Sequence, residues 1–173
     1  KKLGRRHLTL FNREDHRSHE SDFGYDHLFD QFAQSVCYAG VVARKEVFET
    51  WASALYIFSS YFSDQVNMDG DRKPIRRVAD IAAGHGLLAW ALLMLDDEHQ
   101  TRRSASETCK NGPFRPPLTA FCLDVQMPRS AELIHSSMIQ HFPHLGGRFD
   151  YVEGRLEQLV PHPSCLLASV HAC

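Results

Sequence analysis

Residues 78–95 read VADIAAGHGLLAWALLML, a run in which Asp80 is the one formally charged side chain. About 18 to 20 apolar residues are enough to span a bilayer, but Asp80, His85, Gly84 and Gly86 all fall in the first half of the run. The run divides more naturally into a short buried strand, a glycine turn and an apolar helix beginning near Leu87. A strand, a tight turn and a helix in that order open a parallel α/β sheet.

Downstream the same alternation continues. LTAFCLDV, 118–125, is a second strand ending in an acid, Asp124, and SAELIHSSMIQHF, 130–142, is a helix with Ala131, Ile134, Met138 and Phe142 on one face. RFDYVEGRLEQL supplies a third strand turning at Gly154, and SCLLASVHAC, 164–173, a fourth. Between the first helix, read as 87–95, and the second strand lies DDEHQTRRSASETCKNGPFRPP, 96–117. It is polar and rich in turn formers, and reads as a surface insertion that decorates the fold. The expected architecture is a Rossmann-like α/β sheet, and the fourth strand meets the end of the sequence with no covering helix, as in an N-terminal part of a larger domain truncated after strand 4.

Upstream, residues 25–62 carry apolar residues at helical spacing: Leu28, Phe29 and Phe32, then Val47, Phe48, Trp51, Leu55, Phe58 and Phe62. Two amphipathic helices with a break near Gly40 form this lead-in, and its aromatic stripe reads as core. Arg44, Lys45 and Glu46 read as a solvated face, with Arg44 or Lys45 in reach of an anion. Residues 63–74 are a polar connection. Residues 1–24 mix both charge signs with little apolar periodicity and read as a polar arm, mobile or loosely docked. His16 and His19 there have i, i+3 spacing suited to a metal on a helix, but nothing around them suggests a rigid frame.

Composition bounds the partners. The 173 residues are 43% hydrophobic and 23% charged with a net charge of −2, the proportions of one globular domain with no global attraction to nucleic acid or anionic membrane. Five cysteines, at 37, 109, 122, 165 and 173, form no zinc-ligand spacing, and their odd number fits a disulfide framework poorly. A reducing compartment, cytoplasmic or nuclear, is expected, with no structural metal and no membrane partner. The opening residues have no apolar signal-peptide core; a targeting segment removed ahead of Lys1 would leave no trace in this sequence.

In an open α/β sheet, ligands bind beyond the carboxyl ends of the strands, and the first turn holds the most polar part of the ligand. Gly84 and Gly86 let the backbone approach it, and the amides opening the next helix present donors to a carboxylate or phosphate. A dinucleotide fold would read Gly84, Gly86 and Ala89 as GxGxxA and want an acid about 20 residues on; Asp124 stands 38 residues after Gly86. Asp80 is the sharper discriminator. A carboxylate at the end of the first strand repels a pyrophosphate and favours an ammonium or sulfonium ligand.

Asp80-Ile-Ala-Ala-Gly84-His-Gly86 resembles the first motif of class I S-adenosylmethionine-dependent methyltransferases, (D/E)xGxGxG, with Asp124 in the second-motif position. VEGRLEQL and the strand ending SVHAC are similar to the next two motifs, and His171-Ala172-Cys173 resembles a subgroup of methyltransferase-like proteins with a His-Ala-Cys-Gly signature after the fourth strand. The match covers about residues 75–173. It departs from the family at Ala82, which replaces the first glycine and fits there provided that its φ is negative.

The resemblance implies S-adenosyl-L-methionine as cofactor. Asp80 would orient the amino end of its methionine moiety, and Ala82, Gly84 and Gly86 would turn around that moiety, with helix-end amides near its carboxylate. Asp124 would accept from both ribose hydroxyls, Val125 would pack on the adenine, and the Arg155-Leu156 backbone would meet the adenine edge. His171 would stand nearest the transferable methyl, and Cys173 is a candidate nucleophile. Each residue also has a purely structural reading: Asp80 as a helix cap, Asp124 as a strand-end cap, His85 as a tolerated loop residue, His171 and Cys173 as a buried strand end. The implied function is methyl transfer to RNA, protein or a small molecule by direct displacement, which needs alignment more than a general base. A nicotinamide-dependent Rossmann oxidoreductase and a non-catalytic domain retaining the fold are the alternatives.

Overall fold

The computed structural model describes residues 1–11, 25–62, 75–105, 116–160 and 162–170. Their elements run α1 (Asp26–Ala39), α2 (Arg44–Tyr61), β1 (Arg77–Ile81), α3 (Leu87–Ala105), β2 (Thr119–Asp124), α4 (Arg129–His141), β3 (Phe149–Glu153) and β4 (Cys165–Ala168). All strand pairs are parallel, in the order β3-β2-β1-β4. This is the expected α/β class. From β1 the chain steps outward through α3 to β2 and α4 to β3, and right-handed crossovers taken in one direction put both helices on one face. It then returns across β1 to place β4 on the other side. The reversal leaves a crevice between the carboxyl ends of β1 and β4, where ligands bind in sheets of this kind.

Alternation along the strands divides the core. Val78, Ala120, Cys122 and Phe149 face the helices and join one large cluster with residues of α1 to α4. Ala79, Phe121 and Leu123 point the other way and pack with Leu159 and Cys165. The lead-in divides near Gly40 as expected: Gly40 takes φ +70° and its amide bonds to the Val36 carbonyl, closing α1.

One expectation needs correction here. The helix read as 87–95 runs on to Ala105, so the first ten residues of the supposed insertion are structural. Asp96 is fully buried. Its Oδ2 accepts from the Leu118 amide at 2.9 Å, ahead of β2, and pairs with Arg148, whose Nη1 also reaches Asp97 at 2.9 Å. Beyond it the polar turn is supported by Glu98–Arg102 at i, i+4 and by Arg102 and Arg103 at the negative end of the helix dipole.

Of the two readings of the arm, residues 1–11 take the docked one: the Leu3 amide bonds to the Val42 carbonyl at 2.8 Å, and Leu3 and Phe11 are buried in the core on either side of a 3-10 turn at Arg5–Leu10. Two apolar anchors suffice where the intervening polar side chains stay in water. The His16 and His19 reading falls outside the described residues. Among those described, no group of three metal-ligating side chains occurs and no helix is long and apolar enough to cross a membrane.

Candidate functional site

Past Ile81 the chain turns sharply. Ala82, Gly84 and Gly86 have φ of 52°, 50° and 72°, so three alternate residues take the left-handed conformation before α3 starts. The negative φ on which the fit of Ala82 was conditional is therefore not adopted. The turn demands a positive φ at this position as it does at the two glycines, and Ala82, exposed at its tip, adopts it at a cost of about 1–2 kcal/mol for an L-residue. Ala82→Gly should accordingly stabilise the chain by about 0.5–1 kcal/mol in urea unfolding, the relief of strain being partly offset by the greater freedom of the unfolded glycine chain. A loss of stability would mean that the alanine methyl makes compensating contacts.

Asp80 is the last buried residue of β1, 2% exposed. Its Oδ2 accepts from the Ala89 amide at 3.3 Å, the third residue of α3. The capping reading is thus correct in substance, though delivered through space across the turn and not from the residue before the helix. Its Oδ1 accepts nothing from the described residues, and no cation among them pairs with it. Burial, with Asp124 adding like charge, pushes Asp80 up to about 7 against the pull of the Ala89 amide.

Asp124 ends β2 and uses both oxygens on backbone amides: Oδ2 on Gly84 at 3.0 Å and Oδ1 on Val125 at 2.7 Å. It pins the glycine turn to the neighbouring strand, a structural job within the turn that leaves one lone pair on each oxygen for a ligand. Val125 is 67% exposed and Leu156 52% exposed, at the carboxyl ends of β2 and β3, and Arg155 is exposed beside it. The Gly154 amide bonds back to the Asp124 carbonyl at 2.8 Å, bringing the two strand ends together. His171 and Cys173 lie outside the described residues.

A pocket of about 150 Å³ opens in the crevice, lined by Asp80, the turn from Ala82 to His85, Leu87, Leu88, Val170 after β4, and Glu46 and Thr50 of α2. Tyr151, Cys122 and Thr50 carried no site role in the sequence reading, while His85, read as a tolerated loop residue, and Glu46, read as part of a solvated face, both line this pocket. The Tyr151 hydroxyl donates to the Gly84 carbonyl at 3.2 Å, and its burial near Asp124 holds the phenol protonated. Its place two residues before Glu153 on the helix-facing side of β3 was a usable signal. His85 Nδ1 lies 3.0 Å from Glu46 Oε1, an ion-pair distance that brings α2 against the glycine turn. Cys122, fully buried beneath Gly86, has its thiol pushed up by burial and by both carboxylates, which makes it packing and not a nucleophile. The one signal for Thr50 is a hydroxyl residue among the buried positions of α2.

Compared with known proteins, the chain matches no family model and no curated protein.

Proposed function

We propose that this chain binds S-adenosyl-L-methionine at the β1–β4 crevice and transfers its methyl group to an acceptor. The observation that carries the reading is Asp80: a carboxylate 2% exposed, with an oxygen open to a pocket at the switch point of the sheet and no cation beside it. Such a group favours a cationic ligand and disfavours the pyrophosphate of a dinucleotide.

The pocket holds only one end of a ligand, since small-molecule sites run to about 300 Å³ and more. An amino-acid end fits it. The remainder would cross the carboxyl ends of β1, β2 and β3, about 10 Å over two strand spacings. Asp124, with lone pairs left on both oxygens, meets a ribose there, and the exposed Val125 and Leu156 offer apolar surface to a flat base.

When bound, the cofactor supplies an electrophilic methyl on a sulfonium, so that the C–S pair stays on sulfur as the acceptor's lone pair forms the new bond. The chain's task is alignment and exclusion of water. Asp80 anchors the ammonium, the left-handed turn lets backbone approach closely, and the first amides of α3 face the carboxylate.

Calorimetry separates the alternatives. S-adenosylhomocysteine should bind with micromolar or better affinity and NADH should not; the reverse pattern would assign the site to a dinucleotide and overturn the proposal. Tight binding with no methyl transfer across RNA, protein and small-molecule panels would favour the non-catalytic alternative.

A further inference from the structure

Helix α2 belongs to the lead-in, yet two of its side chains face the crevice pocket. Thr50 is 3% exposed, and its hydroxyl has no hydrogen-bond partner among the described residues although it lines the pocket. An unbonded hydroxyl on a residue that lines the pocket is available as an acceptor to a ligand there. Glu46, one turn earlier on the same face, has its Oε1 3.0 Å from His85 Nδ1, and its Oε2 accepts nothing from the described residues. Asp80 completes the set with its open Oδ1.

We infer that α2 supplies half of an ammonium-binding pocket, in which the ammonium of an amino-acid-bearing ligand is taken between Asp80 of β1 and Glu46 and Thr50 of α2. The inference rests on the cofactor reading above and extends it to residues outside the sheet. An ammonium has three N–H donors and no acceptor. Three acceptors without partners line the pocket: Asp80 Oδ1, Glu46 Oε2 and Thr50 Oγ1. His85 narrows the set, because its ring nitrogen stands beside Oε1 of Glu46 at ion-pair distance and Oε2 has no partner among the described residues. The same contact ties α2 to the glycine turn, so the lead-in positions the turn as well as covering the sheet. Ligands that lack the amino-acid end would forgo all three hydrogen bonds.

The test uses the whole chain and two probes, S-adenosylhomocysteine and 5′-methylthioadenosine, which shares the nucleoside and thioether but has no amino-acid end. In calorimetry Thr50→Val should weaken S-adenosylhomocysteine about 5-fold and Glu46→Gln about 10-fold or more, the larger loss reflecting a charged acceptor. Affinity for 5′-methylthioadenosine should be unchanged in both variants. Thr50→Val is nearly isosteric and keeps the helix, so its thermal midpoint checks that folding is intact. Equal weakening of both probes would assign α2 a merely structural role and overturn the inference. Unchanged S-adenosylhomocysteine affinity in both variants, with the wild type binding normally, would overturn it alone. Failure of the wild type to bind either probe would remove the cofactor reading and this inference together.

Discussion

Asp80→Asn should lower S-adenosylhomocysteine affinity on the order of 100-fold while leaving the fold intact. The substitution keeps a side-chain carbonyl oxygen that can accept from the Ala89 amide, the bond that caps α3 at 3.3 Å. What it removes is the charge. A hydrogen bond to a charged group contributes about 1.5–3 kcal/mol, and the upper part of that range corresponds to about 100-fold. Asp80→Ala is the poorer experiment, because it also deletes the cap and mixes a folding loss with a binding loss.

The same variant carries a pH signature. In the folded chain Asp80 is pushed up to about 7, above its ordinary 3.8, by burial first and by Asp124. Between those two values the folded state binds the proton that the unfolded state has released, so this group's contribution to stability is present below about pH 4 and is lost as pH rises to about 7. Relative to Asp80→Asn, the wild type should therefore lose stability steadily across that interval, as read by urea unfolding at several pH values. Ligand binding has the opposite sign. The anion is the form that receives an ammonium, so wild-type affinity should rise as pH passes upward through about 7, and the Asn variant should lack that rise. A flat wild-type profile would mean that Asp80 is already ionised by a partner and is no ligand group.

Much of the site was legible because the chemistry is local. The period-two and period-3.6 patterns from Ile75 onward, the glycine pair and the two strand-end acids lie within single elements, whereas the reversal that places β4 beside β1 has no local pattern behind it. What escaped is tertiary. Asp96 looked like the start of a loop because its reason for burial, Arg148 and the Leu118 amide, lies far along the chain. The Glu46–His85 contact joins α2 to the turn across 39 positions. Polar side chains around Leu3 and Phe11 masked two core residues. Ala82 is a different case: its fit was conditional on a negative φ, which the residue type alone does not fix, and the turn takes φ 52° there.

Gly86 should be the least replaceable residue of the turn. Gly86→Ala is expected to destabilise the chain by about 3 kcal/mol, a fall of roughly 10 °C in thermal midpoint for a chain of this size. Two costs add. An alanine at φ 72° carries about 1–2 kcal/mol of backbone strain. Its Cβ would also stand 2.8 Å from Cys122 Sγ and 3.3 Å from Phe149 Cζ, and overpacking a tight core costs about 1–3 kcal/mol. Neither neighbour can yield easily. Cys122 is fully buried in β2 between β1 and β3, and Phe149 is stacked on Trp90 with ring centroids 4.5 Å apart. Gly84 provides the control: its φ is 50°, but a Cβ there meets nothing within 4 Å, so Gly84→Ala should cost only the backbone term, about 1 kcal/mol. Because its methyl would project into space beside the pocket, that variant should lose ligand affinity more than stability. A double-mutant cycle isolates the steric part. Removing the sulfur with Cys122→Ala should recover about half of the Gly86→Ala loss, a coupling that independent sites do not show. Additive losses in that cycle would place the cost in the backbone alone, and the close packing of the turn on β2 would then not be what holds the α3 amides toward the crevice.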